Sequence, residues 1–584
     1  MNSKPNPGRS AVWLWAAVLL ALHSLLAMSS SLRDSAVADE PFHLARGAGL
    51  VFYRDFSFAV SHPPLVNFLS GLPLLSVSDL SLPDPELVLY SRNLDPSDRR
   101  NAFAVLLLEK LNPDPKKLIE RARLSTVALS VLLGLLVFIW AKKIYGEKAG
   151  LLALFLYSLD PNILAHCRLV TNDLGVALFI CLALYFIWRL WKEPKVANLA
   201  LAAITLGLAE LSKFSAILLY PLYIALWTVL LLKLKKDRPG LRWLTLKRPY
   251  SFLGLWGLAI IFISSLFVIW AGYGFESGQR WNFASLVAGG VCRLSQVSAQ
   301  LKCAAIKFLD ALPLPPRTFY YGIARTLVLT EQHENALYFL GSTGEKGWWY
   351  YYPVLFLIKT PLPLLVLLCL RILWRREIKD RDFESSVILT APAIVFSLFF
   401  IFLNRKEIGI RHLLMIYPLL FIFISGLARV EFPGKNSKKS FVVLLLFWLA
   451  ASSLATWPHY LTYFSEAVGR SKGGLKISVV GEDWGQDVLS LARLQKERNL
   501  YPLFYQPYVL VSPRTYGLDY QDLNCEPLSP GYYAIHLTQL KRPVRNPSLI
   551  KCVEIFKTFE PAYKVNGTIW VWKKEGATSV PAPP

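Results

Sequence analysis

Two adjacent carboxylates, Asp39 and Glu40, follow the first long apolar segment of the chain. Ionisable groups are costly to hold at the edge of a bilayer, so an acidic pair in this place indicates a function. A carboxylate there could accept the proton of a hydroxyl group just outside the membrane. Adjacent side chains on a helix do not share a face. Of these two candidate catalytic residues, we therefore expect Asp39 to be the base and Glu40 to orient the site or bond the backbone.

Cations stand in two short turns between other apolar segments. Arg411 begins an apolar segment after a run that contains Arg405 and Lys406, and Lys213 lies in a very short turn. Such cations could bind an anion, for example a lipid phosphate. Snorkelling towards lipid headgroups is the alternative for Arg405, Lys406 and Lys213. For Arg411 we favour anion binding.

A third turn, residues 160–173, is rich in polar side chains. Asn172 and Asp173 could cap the helix that follows, and Arg168 could pair with Asp160 or Asp173. Placed opposite the first loop, the same residues could line a site. His62 precedes Pro63 and Pro64 in the first loop, and a histidine in such a place is more often a structural turn residue than a ligand. The candidate substrate-binding residues are Asp173, Arg168, Lys213, Arg405, Arg411, His412 and His62.

The elements that must position these residues are membrane helices. Hydrophobic residues make up 54% of the sequence and the mean hydropathy is +0.39, far from the values of a soluble protein. A segment of about 20 apolar residues can cross about 30 Å of hydrocarbon. Eleven segments approach that length, at residues 11–30, 124–141, 149–166, 173–191, 196–212, 214–232, 251–272, 351–370, 385–403, 411–428 and 440–457.

Basic residues cluster in every second loop between these segments, and the richest cluster lies at residues 233–248. The positive-inside rule therefore places the N-terminus and these loops in the cytoplasm. The same distribution argues against nucleic acid as the partner of a chain whose net charge is +23. Residues 36–38 resemble a signal-peptidase site, but the apolar segment before them is long. We expect an uncleaved first span.

The predicted fold is mainly α. It is a polytopic transmembrane helix bundle of about eleven spans at residues 1–457, followed by a small α/β domain at residues 458–584. The topology places that domain outside the cytoplasm, together with a first outer loop at 31–123 and a second at 273–350. In the C-terminal domain the apolar patterning predicts a helix and four strands, at residues 486–498 for the helix and 477–480, 508–512, 532–536 and 568–572 for the strands.

Two cysteines of the C-terminal domain, Cys525 and Cys552, could form a disulfide if that domain is extracytoplasmic. Two free thiols are the alternative.

Several segments together resemble the lipid-carrier-dependent C-type (GT-C) glycosyltransferases, a group that includes the protein O-mannosyltransferases and the lipid A aminoarabinose transferase. The resemblance covers most of the chain, and its combination of motifs is more specific than the acidic pair alone. The segments that carry it are Asp39-Glu40, His62-Pro63-Pro64-Leu65, residues 161–173, residues 347–353 leading to Lys359-Thr360-Pro361, Gly409-Ile410-Arg411-His412-Leu413 and Asp483-Trp484-Gly485-Gln486-Asp487.

The resemblance implies a catalytic role for Asp39. It also implies polyprenyl-phosphate contacts from basic residues at the outer membrane surface, for which Lys213, Arg405 and Arg411 are the candidates. In the second motif, Asp173 is the position that matches the family. Some relatives bind a divalent metal near the site. The resemblance leaves such a metal as an option here, with no ligands assigned.

The resulting expectation is an inverting hexosyl- or pentosyltransferase of the cell envelope, at the outer face of the plasma membrane. Its donor is a polyprenyl-phosphate-linked sugar in membrane lipid. Its acceptor is a hydroxyl of a protein, as in protein glycosylation by a mannosyltransferase, or of an envelope glycan or lipid. Donor sugar and acceptor both stay open. The alternative is a transporter or flippase of a lipid-linked anionic substrate, although the sequence has no repeat of the kind that many transporters show.

Overall fold

The structure is a computed structural model of the 584-residue chain. It describes residues 7–90, 95–237, 254–277, 281, 283, 286, 297–312, 314–329, 337–344, 347–375, 377–378, 383–402, 407–430, 436–542 and 546–576.

The described chain is mainly helical. In chain order, helices α1 to α12 are Pro7–Ser31, Glu40–Tyr53, Pro64–Gly71, Pro85–Tyr90, Pro96–Val105, Pro115–Tyr145, Glu147–Ser158, Pro161–His166, Asp173–Lys192, Val196–Glu210, Leu219–Asp237 and Leu255–Gly272. Helices α13 to α23 are Val297–Ala311, Arg317–Leu329, Tyr351–Lys359, Leu362–Leu373, Phe383–Phe402, Tyr417–Ser425, Asn436–Thr456, Arg470–Gly474, Val488–Arg498, Leu537–Lys541 and Pro547–Phe556.

Aspartate–proline pairs start four of these helices. The side chains of Asp84, Asp95, Asp114 and Asp160 each accept a hydrogen bond from a first-turn backbone N–H, at 2.8, 2.8, 3.0 and 2.9 Å. Proline loses no helical hydrogen bond at the first position, because the N–H that it lacks would have no partner in the helix. The aspartate accepts from another first-turn N–H that has no helical partner. Because one such pair falls inside the predicted span at 149–166, that segment forms two helices, α7 and α8.

Six helices of the described chain are long and apolar enough to cross a membrane: α1, α6, α9, the segment Phe214–Leu234, α17 and α19. Helices α15 and α16 meet at 106° and make a seventh if they count as one span. A multi-pass, mainly helical membrane protein is thus confirmed. The other four predicted segments hold shorter helices within the described residues, namely α7 with α8, α10, α12 and α18. The count of eleven spans stays a prediction.

The C-terminal region contains a small mixed sheet. Its strands are β3 Leu503–Tyr505, β4 Gln521–Asp522, β5 Gly531–His536, β6 Tyr563–Val565 and β7 Ile569–Lys574, in the order β4-β3-β5-β7-β6. Strand β3 runs parallel to β4 and β5, whereas β7 runs antiparallel to β5 and β6. A separate hairpin joins β1 Leu337–Phe339 to β2 Ser342–Gly344. Cys525 and Cys552 form a disulfide.

Two of the four predicted C-terminal strands are present, as β5 and β7, and so is the predicted helix, as α21. The other two are wrong. Residues 477–480 take part only in isolated bridges, and residues 508–512 form an irregular connection. Val480 instead lies against Gly409, and the Ser512 backbone N–H donates to the Glu109 carboxylate in the first outer loop at 2.8 Å. Alternation of apolar residues does not distinguish such contacts from those of a strand.

Close backbone contacts bring the loops of the site together. A Cβ on Gly409 would lie 3.1 Å from the Val480 carbonyl oxygen, and one on Gly481 would lie 2.9 Å from the Ile408 carbonyl oxygen. Both glycines have positive φ, 87° and 90°, where glycine is the favoured residue. The loop before Arg411 therefore packs directly on the C-terminal region.

Candidate active site

Four charged side chains from distant parts of the sequence meet at the start of α2. Arg411 Nη1 donates to Asp39 Oδ2 at 2.7 Å and lies 4.0 Å from Asp173 Oδ2. Lys213 Nζ donates to Asp173 Oδ1 at 2.7 Å. The Asp39 side chain is the most open of the four, with 37% of its surface exposed, against 4% for Asp173. Carboxylates and cations thus alternate in one cluster around an accessible aspartate.

The cluster favours the ionised form of Asp39. Burial alone would raise the pKa of the Asp39 carboxyl, but the Arg411 guanidinium outweighs burial and holds that pKa below its ordinary value. Arg411 is itself held in place, since its Nε donates to the Ile408 carbonyl at 3.1 Å and its guanidinium lies 4.2 Å from the centre of the Trp484 ring. Contact of a guanidinium with an indole face is attractive.

Glu40 points away from this cluster and is fully buried. The Arg123 guanidinium holds both of its oxygens, with bonds of 2.7 Å to Oε1 and 2.6 Å to Oε2. The backbone N–H groups of Val37 and Val170 donate to the same carboxylate at 2.9 and 3.0 Å. These contacts are those of a residue that supports the site, which is the role predicted for Glu40. Glu40 ties the start of α2 to α6 and to the turn before Asp173.

The segment before Asp39 is attached to the C-terminal region. The backbone N–H groups of Ser35 and Ala38 donate to the carbonyls of Gln486 and Trp484, both at 2.9 Å. The Ser35 hydroxyl donates to the Gly485 carbonyl at 2.9 Å. Consecutive residues of the Asp483–Asp487 motif thus hold the residues that lead into the predicted base. The same motif supplies the Trp484 ring beside Arg411.

The two aspartates of that motif fasten it to the sheet. Asp483 accepts from His536 Nδ1 at 2.9 Å, at the end of β5, and His536 Nε2 lies 2.7 Å from the Tyr505 hydroxyl on β3. Asp487 accepts from the Thr568 hydroxyl at 2.6 Å, beside β7. All of these groups are buried. The motif therefore has one side on the sheet and the other on the candidate site.

Aromatic residues 348–352 support the loop that carries Arg411. The backbone N–H of Trp348 donates to the Glu407 carboxylate, and the Gly409 N–H donates to the Tyr351 hydroxyl at 3.0 Å. The Tyr352 hydroxyl lies 2.8 Å from His412 Nδ1. These rings have packing roles in the structure, so stacking on a sugar or in a membrane interface stays a prediction.

The remaining predicted site residues lie at varied places. Arg168 pairs with Asp34, so the predicted pairing with Asp160 or Asp173 is wrong: its buried guanidinium faces the loop before α2 rather than the polar residues of its own turn. His62 lies with its ring 5.1 Å from that of His43, close to the start of α2. His412 is buried against Tyr352 and Phe400. Arg405 lies outside the described residues.

Asn172 and Asp173 do not cap α9 through their side chains. Asn172 occupies the cap position without a side-chain cap bond, and its amide donates to the Ser212 carbonyl at 3.1 Å. Asp173 faces Lys213 and Arg411 instead. The capping interpretation is therefore wrong, and the second candidate role, lining a site, is the one that the geometry favours.

The described part of the chain contains no group of three or more His, Cys, Asp or Glu side chains that could hold a metal ion. The two carboxylates of the cluster, Asp39 and Asp173, are both engaged by cationic side chains. The residues present thus do not fit a divalent metal, and no step is derived through one.

Two residues of the site were not predicted. Arg123 lies one position before the predicted span at 124–141, where an arginine can snorkel to the membrane surface, so only its acidic partner could have singled it out. Trp484 lies in the motif Asp483-Trp484-Gly485-Gln486-Asp487, to which the sequence assigns no chemical role.

Residues 116–270 match the model of a family described as dolichyl-phosphate-mannose-protein mannosyltransferase. The match confirms, over that segment, the predicted resemblance to the C-type glycosyltransferases and the enzyme class that it implies. No curated protein matches the sequence.

Among solved structures, the chain is similar to ArnT from Cupriavidus metallidurans bound to undecaprenyl phosphate, at 12% identity, over 97% of this chain and 99% of that one, with a TM-score of 0.48. The apo state of ArnT aligns at 12% identity over 96% and 98% of the chains, with a TM-score of 0.33. The Archaeoglobus fulgidus oligosaccharyltransferase in complex with zinc and sulfate aligns at 15% identity over 76% and 52%, with a TM-score of 0.37. Such low scores assign no residue roles.

Proposed function

We propose that this membrane protein transfers a sugar from a polyprenyl-phosphate donor to an acceptor hydroxyl, with Asp39 as the base. The observation that carries the proposal is the cluster at the start of α2. There Arg411 lies 2.7 Å from Asp39 and 4.0 Å from Asp173, which binds Lys213. A base and phosphate-binding cations are the groups that this reaction needs, and the family match supports the reaction class.

In the proposed step, the acceptor oxygen bonds to the anomeric carbon of the sugar while its proton passes to Asp39. The bond between that carbon and the phosphate oxygen breaks, and the phosphate leaves with the electron pair. One displacement inverts the anomeric centre. Phosphate is a good leaving group, so no general acid is needed. Asp39 is partly exposed, and the lowered pKa of its carboxyl keeps it ionised and therefore able to accept a proton.

Lys213 and Arg411 would stabilise the charge that develops on the leaving phosphate. Fixed cations aimed at developing charge cost no reorganisation during the reaction. Both cations already have carboxylate partners, so a phosphate must compete with Asp39 for Arg411. Loss of that guanidinium would raise the basicity of Asp39. Binding of the donor and activation of the base are coupled in this scheme.

We also propose the orientation and the domain assignment given by the charge pattern. The N-terminus and the basic loops lie in the cytoplasm, and the candidate site and residues 458–584 lie outside the plasma membrane. The disulfide between Cys525 and Cys552 supports an oxidising location for that region. Residues 1–457 form the transmembrane glycosyltransferase domain, and the acceptor is a protein or an envelope glycan or lipid.

A complementation experiment tests the proposal. A deletion strain would carry the wild type, Asp39→Asn, or Asp84→Asn, a control that removes an exposed carboxylate of the same loop. Mass spectrometry of envelope glycans should show one modification that is lost on deletion and restored by the wild type and Asp84→Asn only. Membrane levels of the variants would be matched first.

Full restoration by Asp39→Asn would rule out Asp39 as the base. If the wild type restores no glycan modification but moves a lipid-linked sugar across liposomes, the protein is a transporter instead.

A further inference from the structure

A second group of cations lies along α2. Arg46 is seven residues after Asp39, and a helix rises about 1.5 Å per residue, so the two lie about 10 Å apart along the axis. Positions spaced by three, four and seven share a helix face. Asp39, Phe42, His43 and Arg46 therefore follow one face of α2 in succession.

Arg46 is buried and poorly paired. Its exposed fraction is 2%, and its hydrogen bonding within the described chain is one contact of 3.5 Å from Nη1 to the Phe42 carbonyl. No carboxylate of the described residues forms an ion pair with it. A guanidinium has five donors, and burying a charge without a partner is costly. An anion from outside the chain would remove that cost.

Two further arginines converge on the same place. The Arg100 guanidinium lies 4.3 Å from the Phe42 ring and hydrogen-bonds to the Asn101 side chain at 2.7 and 3.1 Å. It too forms no ion pair with a described carboxylate. Arg325 reaches the first turn of the same helix, α5, where it binds Asp95 at 2.9 Å.

Arg325 also connects this group to the first outer loop. Its Nη1 donates to the Ser61 hydroxyl at 3.2 Å, next to His62. The partner Asp95 is 52% exposed, and Asp98, on the same turn, is exposed as well. The three guanidinium groups thus lie near the carboxylates of Asp39, Asp95 and Asp98. Among these described groups, only Arg325 and Asp95 form an ion pair with each other.

The electrostatics agree with an excess of positive charge. Burial and then the Arg100 charge lower the pKa of Arg46 well below its ordinary value, and together with Arg325 they outweigh the opposing charge of Asp39, although an arginine that starts above 12 stays cationic. Burial and the Arg46 charge lower the pKa of His43 to about 4, so its imidazole is neutral and adds no charge. By contrast, the cations Lys213 and Arg411 are balanced by two carboxylates.

We propose that Arg46, Arg100 and Arg325 bind a phosphate group of the acceptor, which lies along α2 with its reacting hydroxyl at Asp39. The proposal rests on the proposed function, because it takes Asp39 as the base and Lys213 with Arg411 as the site of the donor phosphate. Planar guanidinium groups match the oxygens of a phosphate. The acceptor is thus a phosphate-bearing lipid headgroup or glycan, with its phosphate on the order of 10 Å from the hydroxyl that receives the sugar.

Two probes on the full-length protein in nanodiscs of neutral lipid separate the two anion sites. Undecaprenyl phosphate, followed by native mass spectrometry, reports the donor site. With that carrier saturating, inorganic phosphate, followed by the rise in Tm, reports the second site. The variants are Arg100→Gln and Arg325→Gln, with Arg317→Gln as the matched control. Arg317 lies on the same helix as Arg325 but pairs with Asp310.

We expect Arg100→Gln and Arg325→Gln to weaken the phosphate response about tenfold or more and to leave carrier binding unchanged, since each removes one charge-assisted contact. Arg317→Gln should match the wild type in both assays. Arg100 is only partly buried, so Arg100→Gln alone carries the test if Arg325→Gln does not fold.

An unchanged phosphate response in Arg100→Gln overturns the proposal. Loss of carrier binding in that variant overturns it too, because the arginines would then hold the donor phosphate. Lys213→Gln tests the proposed function separately: retained carrier binding would remove Lys213 from the donor site without affecting the arginine site.

To distinguish the sources of the phosphate, phosphatidic acid and glucose 6-phosphate would be compared as competitors. The better competitor identifies a lipid or a glycan acceptor, and failure of both to displace inorganic phosphate would overturn the acceptor assignment.

Discussion

Replacement of Glu40 by glutamine should destabilise the protein far more than it slows the reaction. Glu40 is fully buried, and its carboxylate accepts four hydrogen bonds, two of them from Arg123. Removing one partner of a buried ion pair leaves the other charge uncompensated, at a cost of about 3–5 kcal/mol. The glutamine keeps the size of the side chain, so the loss reports charge rather than packing.

The neighbouring substitution should behave in the opposite way. Asp39→Asn leaves Arg411 with Asp173 at 4.0 Å, and the Asp39 side chain is partly exposed. We therefore expect a stability change of about 1 kcal/mol or less. Loss of a general base slows the chemical step by about 10²–10⁴-fold. Of the two adjacent carboxylates, Asp39 is thus expected to affect turnover and Glu40 to affect stability.

The assay combines chemical unfolding in detergent with transfer activity per folded molecule. Glu120→Gln is the control for Glu40→Gln. It also breaks a carboxylate–cation pair on the chain, but that pair, with Lys116, is partly exposed at 3.7 Å and should contribute less than about 1 kcal/mol. A Glu40→Gln protein with wild-type stability and no turnover would refute the reasoning and make Glu40 a direct participant in the chemistry.

Three further outcomes are expected. In Arg411→Gln, loss of the guanidinium should raise the pKa of Asp39; because the ionised form is active, the acidic limb of the kcat/KM–pH profile should move to higher pH. Trp484→Leu removes the contact of the Trp484 ring with the Arg411 guanidinium, worth about 0.5–2 kcal/mol, so kcat/KM per folded molecule should fall about 2- to 30-fold, with the folded fraction followed by far-UV circular dichroism. Cys525→Ser should cost about 3–4 kcal/mol of unfolding free energy, given the 27-residue separation from Cys552, and a reductant should reproduce that loss in the wild type.

The sequence was sufficient to identify the residues that form the cluster. Asp39, Lys213 and Arg411 stand out in the sequence as charged groups beside apolar segments, and Asp173 stands out as the position that matches the family motif. Alternating basic loops put all four on one predicted side. Their convergence then follows from the short turns that hold them close to the membrane surface. No pattern in the chain, however, gives the distances between them.

The partners of buried charges could not be predicted. The sequence favours Asp160 or Asp173 as the partner of Arg168, but Arg168 pairs with Asp34, which is far away along the chain. Arg123 resembles any helix-end cation in sequence, yet it holds Glu40. Choice among partners depends on the packing of helices that are distant along the chain. Hydrophobic periodicity fixes which face is buried, but it does not fix which buried charge lies opposite.

The two surfaces that the Asp483–Asp487 motif joins explain the spacing of its two aspartates. Asp483 and Asp487 bind His536 and Thr568 on the sheet. The residues between them turn towards the membrane region, where their carbonyls accept from the segment that leads to Asp39. A substitution of Asp483 would therefore move the base without touching it. On this argument the C-terminal region is a wall of the candidate site, and an acceptor held by that region would be presented directly to Asp39.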